Sequence, residues 1–261
     1  MKKDYLIVGH FAKDLKSRGF SLGGSVFYSG LCAKSLGYQV KISTSFGPDL
    51  EKKVAATGFK INRTSSPAST VFKNIYNRAG QRSQFLSSLA LPLDSAQIPR
   101  EWLDSPIVQI APIAKEVKEK SINSFKRKNS LIGVVLQGWL RDCRPGKEVS
   151  FSYWKNYRKV LPRADIAFLS EEDVKNHEGL IKEFAKFSPL LVLTQGKRGC
   201  SVFHRGKVSS FEARKIKEKN PTGAGDVFAS AFLVEFKKTK NFNLAAEFAN
   251  SIAAKHVACN S

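Results

Sequence analysis

The sequence predicts an α/β fold with a mainly parallel β-sheet, helices on both faces of that sheet and a small β outgrowth. The chain has 261 residues, of which 42% are hydrophobic and 25% are charged, so it can bury a large core. From residue 107 onward, short apolar runs alternate with helical patterns, as in repeated βα units. A polar, alternating segment at 68–91 interrupts that order and predicts a hairpin. We therefore expect a single domain over residues 1–261.

In the first half of the chain, apolar runs and turn residues predict the element boundaries. A glycine-rich turn precedes the first predicted helix, 27–36, and Gly37 is expected as its C-cap. The hairpin turn is expected at 77–81, with Gly80 at the special turn position. The predicted strands of this half are 5–9, 39–44, 70–76 and 82–86.

In the second half, each apolar run of strand length is followed by a helical pattern or a turn. The predicted strands are 107–110, 131–136, 166–169 and 190–194, with a hairpin over 200–211 around Arg205-Gly206. The predicted helices are 113–125, 151–160 with Trp154 and Tyr157 on one face, 171–187 with a break near 177–179, 222–236 and 244–258.

The charge balance bears on possible partners. The chain has 43 Lys and Arg against 22 Asp and Glu, a net charge of +21, which attracts polyanions such as nucleic acid, anionic lipid or phosphorylated metabolites. The cations are scattered, and their densest clusters, 126–128 and 215–219, are short, which favours ordinary solvated faces. No helix-turn-helix, zinc-finger or stacking-platform motif is found, so specific nucleic-acid binding is not expected.

Cysteine spacing and hydropathy indicate the compartment. Cys32, Cys143, Cys200 and Cys259 lie far apart, which argues against a zinc site or a disulfide framework and indicates reduced thiols. No apolar stretch approaches the ~20 residues of a membrane span. We expect a soluble, cytoplasmic protein.

The stretch N-P-T-G-A-G-D, residues 220–226, lies directly before an apolar run that is predicted to be helical. The first turn of a helix has unpaired amides and the positive end of the helix dipole, and glycine lets an anion approach them closely. An acid beside an anion site needs a separate role. Asp226 would act either as a general base toward an attacking hydroxyl or as a helix cap, and the pattern leaves both open.

The same stretch resembles the C-terminal D-T-x-G-A-G-D motif of the ribokinase-like (PfkB) carbohydrate and nucleoside kinases. Residues 222–226 match the motif, whereas Asn220 and Pro221 replace its first Asp and Thr. Other segments match in family order over nearly the whole chain. The resemblance implies a three-layer α/β/α sandwich with a small β lid, formed by about 12–22 and 68–91, over the substrate.

The resemblance also assigns an acceptor site. The segment 7–14 is similar to the family's first strand and its sugar-binding aspartate, so Asp14 would hold substrate hydroxyls. Gly23 and Gly24 resemble a glycine pair that lets the substrate lie close to the backbone, and Tyr28 falls near a frequent asparagine. Residues 137–141 resemble a run of the inositol and nucleoside kinases, in which Arg141 would reach a phosphate or the substrate.

A phosphate-donor site is implied in the same way. Residues 193–200 resemble the T-x-G-x-x-G nucleotide loop. Ser170 and Asp173 replace the Asn and Glu of an N-x-x-E motif that organises magnesium and phosphates, although a capped helix start explains these two residues equally well. The residues assigned to the nucleotide are Thr194, Gly196, Gly199, Thr222 and, near the adenine, Asn250.

Together these features predict a kinase that uses ATP and Mg²⁺ to phosphorylate a hydroxyl of a sugar, a polyol such as inositol, or a nucleoside. Asp226 would be the base, and the amides around Gly223, Ala224 and Gly225 would hold the charge on the transferred group. A homodimer through the lid is a further expectation. Two other classes remain open at this stage: a catalytically weakened ligand-binding or regulatory relative, and a nucleic-acid-binding protein.

Overall fold

The chain folds around two main β-sheets. The structure is a computed structural model that describes residues 3–76, 82–125 and 130–258. The described strands, in chain order, are β1 (Asp4–Val8), β2 (Ala12–Leu15), β3 (Phe20–Gly23), β4 (Gln39–Phe46), β5 (Lys60–Ser65), β6 (Thr70–Tyr76), β7 (Arg82–Ser88), β8 (Ile107–Ile110), β9 (Leu131–Val135), β10 (Arg141–Asp142), β11 (Lys147–Glu148), β12 (Ser150–Phe151), β13 (Ile166–Ser170), β14 (Leu191–Thr194), β15 (Cys200–His204) and β16 (Lys207–Phe211).

The larger sheet has nine strands in the order β16-β15-β14-β13-β9-β8-β1-β4-β5. From β14 to β5 every neighbouring pair is parallel, and only β15 and β16 join in antiparallel register. The parallel strands confirm the mainly parallel sheet that the alternating pattern predicts. The hairpin around Arg205-Gly206 is also confirmed, as β15 and β16.

Helices cover both faces of this sheet. The described α-helices are α1 (Ser25–Ser35), α2 (Glu51–Ala55), α3 (Tyr157–Val160), α4 (Gly179–Phe187), α5 (Ala224–Thr239) and α6 (Phe242–Ala258). Side chains of a strand alternate between faces, so Tyr5 and Ile7 join the core under α1, α5 and α6. Leu6 and Val8 join a second core with α3 and α4. The arrangement is the three-layer sandwich that the sequence predicts.

A smaller five-stranded sheet, in the order β11-β7-β6-β2-β3, is the outgrowth. We call it the lid sheet. Its strands β2, β3, β6 and β7 come from the two segments that the resemblance assigns to a lid, and the hairpin pairs β6 with β7 in antiparallel register. The sequence did not predict the short strand β11, which pairs with β7. Residues 77–81, where the turn with Gly80 is expected, lie outside the described residues.

His10, buried just after β1, connects the two sheets. Its Nε2 lies 3.0 Å from the carbonyl oxygen of Leu91, which can only accept, so Nε2 carries the proton. Nδ1 then accepts from the Thr70 hydroxyl at 2.8 Å, and that hydroxyl accepts the amide of Ala90. Both ends of the β6–β7 hairpin are therefore anchored on one imidazole.

The predicted helix over 113–125 is wrong. Lys115 has φ of 60°, and only Glu119–Ser124 is helical, as a 3₁₀ turn. The buried carboxylate of Glu116 accepts hydrogen bonds from the amides of His10 at 3.1 Å, Ile113 at 3.0 Å and Ala114 at 2.7 Å. The bonds to Ile113 and Ala114 are local and the bond to His10 is tertiary, and together they compete with the local helical preference of the segment.

The predicted helix over 151–160 is largely wrong as well. Ser150–Phe151 forms β12, and only Tyr157–Val160 is helical. The indole of Trp154 stacks on Trp139, with ring centroids 4.8 Å apart and planes at 21°. Aromatic packing on the core, rather than helical spacing, determines this backbone. The sequence also missed β5 and α2.

The other predicted elements are present near their expected bounds. Gly37, with φ of 83°, follows α1, and the segment 171–187 is broken into a 3₁₀ turn at Glu171–Val174 and α4. In the described ranges, no helix has both the length and the apolar surface that crossing a bilayer requires.

Candidate active site

The predicted site residues gather at one edge of the larger sheet. Carboxyl ends of parallel strands meet at the same edge, where open α/β sheets bind their ligands. Asp14 lies on β2, the lid-sheet strand that follows β1, Arg141 comes after β9, and Ser170 and Asp173 lie at and just after the end of β13. Gly196 follows β14. The N-terminus of α5, with Asp226, adds the glycine-rich segment.

Asp226 does not cap its helix. Gly223, in the left-handed region with φ of 77°, is the N-cap of α5, and no side chain caps the helix start. Asp226 lies in the first turn, and its backbone carbonyl accepts a hydrogen bond from the Ser29 hydroxyl of α1 at 3.2 Å. The carboxylate is therefore not used for capping, which favours the general-base alternative.

The surroundings of Asp226 tune its acidity. Desolvation raises the pKa of its carboxyl from 3.8 to about 6, and the charge of Asp173 acts in the same direction. A hydrogen bond with Ser25 and the positive charge of Arg141 act in the opposite direction, so the pKa stays in a range where the carboxylate predominates at neutral pH. A carboxylate with this pKa is a stronger proton acceptor than an ordinary aspartate.

The glycines before Asp226 have two different environments. A Cβ on Gly223 would lie 2.2 Å from Cγ of Tyr28, whereas a Cβ on Gly225 would meet nothing within 4 Å. The Ala224 amide already donates to the carbonyl of Pro221 at 3.1 Å. Helix geometry leaves the next amides of the first turn without intrahelical acceptors, so an anion would approach them over Gly225.

Tyr28 lies close to two of the predicted site acids, Asp14 and Asp226. Burial, with added repulsion from the carboxylates of Asp14 and Asp226, raises the pKa of its phenol to about 12. The ring contacts His256 edge-on, with centroids 5.9 Å apart. Nε2 of His256 lies 2.8 Å from the Thr222 carbonyl oxygen and therefore donates to it. The phenol thus stays protonated at neutral pH, as a hydrogen-bond donor near both acids.

Gly23 and Gly24 make room for neighbouring groups of the chain itself. A Cβ on Gly23 would lie 2.0 Å from Oδ2 of Asp14, and one on Gly24 would lie 2.5 Å from the His10 carbonyl oxygen. Gly24 also has φ of 90°. Gly23 therefore allows β3 to pack against Asp14, and Gly24 allows the chain before α1 to pass close to the backbone of residues 10–12.

Arg141 and Asp173 form the opposite side of the site. Burial raises the pKa of Asp173, while the nearby cation of Arg141 and the Gln137 amide, which donates at 3.3 Å, lower it. Arg141 also donates to Oε1 of Gln84 on β7 at 3.4 Å, which links this side to the lid sheet.

Ser170 and Asp173 form a capping box. The Ser170 hydroxyl accepts from the Glu172 amide, and Asp173 accepts from the Ser170 amide, each at 3.3 Å. The capped-turn alternative is therefore realised. Among the described residues, no group of three or more His, Cys, Asp or Glu could hold a metal ion. Mg²⁺ is usually held by one or two carboxylates together with waters and substrate phosphates. Asp173 could therefore help to hold a magnesium ion only when the phosphates of a bound donor supply other ligands.

The predicted nucleotide loop has the backbone its glycines require. Gly196 has φ of 55° and Gly199 has φ of 98°, and a Cβ on Gly199 would lie 2.0 Å from the Phe211 carbonyl oxygen. The Thr194 hydroxyl donates to the Leu169 carbonyl at 3.4 Å. Thr222 is exposed, and its amide donates to Oδ1 of Asn220 at 3.0 Å.

Asn250 is engaged inside the protein. Its amide nitrogen lies 3.2 Å from the carbonyl oxygens of both Phe211 and Glu212. The amides of Lys219 and Asn220 donate to the Val257 carbonyl, so the segment between β16 and α5 is attached to α6 at both ends. The nucleotide role of Asn250 stays a prediction.

Comparison with known proteins finds similarity to one family. Residues 141–261, which include the α5 start, match the model of the pfkB family carbohydrate kinases. This C-terminal part of the chain is thus similar to the pfkB family carbohydrate kinases. A cytidine kinase of Thermococcus kodakarensis is 26% identical over 263 residues, which cover 90% of this chain and 89% of that protein.

Solved structures show the ribokinase-like fold. A pyrophosphate-dependent kinase of the ribokinase family, complexed with a pyrophosphate analog and myo-inositol, superimposes with a TM-score of 0.80 at 22% identity, covering 97% of this chain and 94% of that one. Arabidopsis thaliana ribokinase, complexed with ribose and ATP, superimposes with a TM-score of 0.78 at 16% identity, covering 100% and 94%.

Sequence reasoning missed three contributors to the site. Ser25 contacts Asp226, Gln84 contacts Arg141, and His256 holds Thr222 from the last helix. Ser25 directly follows the glycine pair, which was a usable signal. Gln84 and His256 lie far from their partners in the sequence, and no local pattern points to them.

Proposed function

We propose that this domain transfers a phosphoryl group from ATP, with Mg²⁺, to a hydroxyl of a sugar, a polyol such as inositol, or a nucleoside. The observation that carries the proposal is the Asp226 carboxylate in the first turn of a glycine-rich helix start. This carboxylate does not cap the helix, and its pKa is about 6. A base and an anion cradle side by side are the parts that phosphoryl transfer requires.

In the proposed reaction, Asp226 accepts the proton of the acceptor hydroxyl. The hydroxyl oxygen forms a bond to the terminal phosphorus of the donor while the bond from that phosphorus to the bridging oxygen breaks, and ADP leaves with the electron pair. First-turn amides over Gly225 and the guanidinium of Arg141 stabilise the negative charge of the transferred group. Magnesium, when bound with the donor, neutralises phosphate charge.

The acceptor would lie between Asp14 and Asp226, with Tyr28 as one wall. Support comes from the partial burial of Tyr28, from its electrostatic coupling to both carboxylates, and from the likeness to kinases of cytidine and of myo-inositol. The lid sheet would exclude water from this space when it closes. A cytoplasmic location belongs to the same proposal, supported by Cys32, Cys143 and Cys200 as free thiols.

Pyrophosphate is the second candidate donor. One structural neighbour uses it, and the Asn250 amide expected near an adenine already donates to the chain itself. Purified protein should be tested with ATP and with pyrophosphate against sugars, inositol and nucleosides. Activity with pyrophosphate alone would replace ATP in the proposal and leave the role of Asp226 intact.

The first prediction concerns Asp226→Asn. We expect at least about a 100-fold loss of turnover, because the proton acceptor is removed, with donor binding still measurable by calorimetry. For the wild type, kcat/KM should fall about tenfold per pH unit below pH 6, where Asp226 becomes protonated.

Glu247→Gln, which removes an exposed acid from α6, is the matched control and should leave turnover unchanged. Normal turnover of Asp226→Asn would refute the mechanism. Tight binding of an acceptor without turnover under any donor would favour the regulatory alternative.

A further inference from the structure

Two adjoining surface cavities lie apart from the candidate active site. The first, of about 660 Å³, and the second, of about 580 Å³, share Glu119, Lys120 and Asn156 in their linings, so they form one continuous groove. Its walls are the segments 115–123 and 152–163. Neither lining includes Asp14, Asp173 or Asp226. We call this feature the basic groove.

The charge of the basic groove exceeds that of the chain as a whole. Seven of the 18 described lining residues are Lys or Arg and one is acidic, whereas 43 of 261 residues in the chain are Lys or Arg. The seven cations are all exposed: Lys115, Lys118, Lys120, Lys155, Arg158, Lys159 and Arg163. A concave surface with one sign of charge concentrates counter-ions more strongly than a flat one.

Part of this charge is not neutralised by the protein. Lys118 and Lys120 pair with Asp94 at 3.3 and 3.2 Å. Within the described ranges, Lys155, Lys159 and Arg163 make no ion pair. The acidic lining residue, Glu119, accepts hydrogen bonds from the Trp154 indole and the Asn156 amide.

The groove also presents an aromatic ring. Tyr153 is 52% exposed at the rim, beside the buried stack of Trp139 on Trp154. Cations that follow a groove, together with an exposed ring on which a base can stack, are the combination used for single-stranded nucleic acid.

We propose that the basic groove binds single-stranded nucleic acid without sequence specificity, through its phosphates and through stacking on Tyr153. The proposal does not depend on the kinase function. It is compatible with the lack of a sequence-reading motif, because phosphate contacts and stacking carry no base specificity.

The test compares two triple variants with equal loss of charge. The groove variant is Lys155→Gln, Lys159→Gln and Arg163→Gln. The control variant is Lys34→Gln, Lys52→Gln and Lys238→Gln, on helices of the opposite layer. Binding of a labelled single-stranded RNA of about 12 nucleotides is measured by fluorescence anisotropy over a salt series, with far-UV circular dichroism to confirm folding.

We expect the groove variant to lose at least tenfold in affinity, and its slope of log K against log salt to fall by about 2, because three phosphate contacts are removed. The control variant should stay within about twofold of the wild type. Tyr153→Ala should weaken binding at least about fivefold with an unchanged salt slope, since a stacking contact releases no counter-ions.

Equal losses in the two triple variants would overturn the proposal, because the effect would then come from net charge alone. The proposal would also be overturned if poly-glutamate bound as tightly as the RNA and Tyr153→Ala had no effect. The groove would then bind any acidic polymer. Failure of the wild type to bind the RNA at physiological salt would overturn it as well.

Discussion

At the scale of single residues, the two glycines of the N-P-T-G-A-G-D stretch have different roles. Gly223 has a positive φ and lies against the Tyr28 ring, so its lack of a side chain is required by the fold. Gly225 has neither constraint: its backbone is helical and the space around it is open. In the proposed anion cradle, a phosphate would occupy the open space at Gly225 and bind the first-turn amides.

The second prediction follows from this contrast. Gly225→Ala should keep or slightly raise the melting temperature, because Ala is the better helix former, yet should reduce turnover by about 100-fold or more by blocking the donor. Gly223→Ala should instead lower the melting temperature. Thermal unfolding and steady-state kinetics measure the two effects, and full activity of Gly225→Ala would contradict the cradle.

A substitution of Tyr28 tests whether its ring is what makes glycine necessary at position 223. If the ring of Tyr28 is what Gly223→Ala collides with, then Gly223→Ala should cost less stability in a Tyr28→Ala background. A double-mutant cycle should give a coupling free energy of at least about 1 kcal/mol. Strict additivity would show that positive φ alone makes glycine necessary at position 223.

At the scale of elements, the loop over 113–118 replaces a helix because Glu116 serves other segments. Its carboxylate joins the loop to the amide of His10, and the imidazole of His10 holds both ends of the β6–β7 hairpin. The lid sheet is thus attached to the larger sheet through two buried polar side chains. Burial lowers the pKa of His10, so the neutral imidazole is the form that the fold retains.

The third prediction is that Glu116→Ala destabilises the protein by roughly 3 kcal/mol or more, because three buried amides lose their acceptor. Glu116→Gln should cost less, since its amide oxygen can still accept. Urea unfolding measures both free energies. Glu148→Ala on β11 is exposed and should change the stability by less than about 0.5 kcal/mol; an equally small effect at Glu116 would contradict the anchoring role.

At the scale of the whole molecule, two hydrophobic cores share one sheet. Neighbouring residues of β1 belong to different cores, so neither core can lose its packing while the other keeps an intact sheet. This arrangement predicts a single cooperative domain, as the sequence does. Assembly into a homodimer through the lid stays a prediction.

The fourth prediction is that urea unfolds the protein in one transition. The three tryptophans, Trp102, Trp139 and Trp154, all pack in the core with α3 and α4, so their fluorescence reports on that core alone. Far-UV circular dichroism reports on both layers. Coincident midpoints are expected, and a fluorescence transition separated from the circular dichroism transition would show two domains.

The sequence by itself determined most strands of the larger sheet and predicted which acid lies at its edge. Apolar runs such as 107–110, short and alternating with helical patterns, predict buried strands, and G-A-G-D before an apolar run predicts a helix start with an acid in its first turn. These signals are local, so one sequence is enough to find them.

Only the tertiary structure decided how the local signals combine. It joined the loop over 113–118 to His10 through Glu116, brought His256 and Tyr28 against residues 222–223, and attached Asn250 to the segment after β16. These contacts join residues that are far apart in the chain. They depend on burial and on hydrogen-bond partners that exist only in the folded protein, which is why no periodicity or motif could predict them.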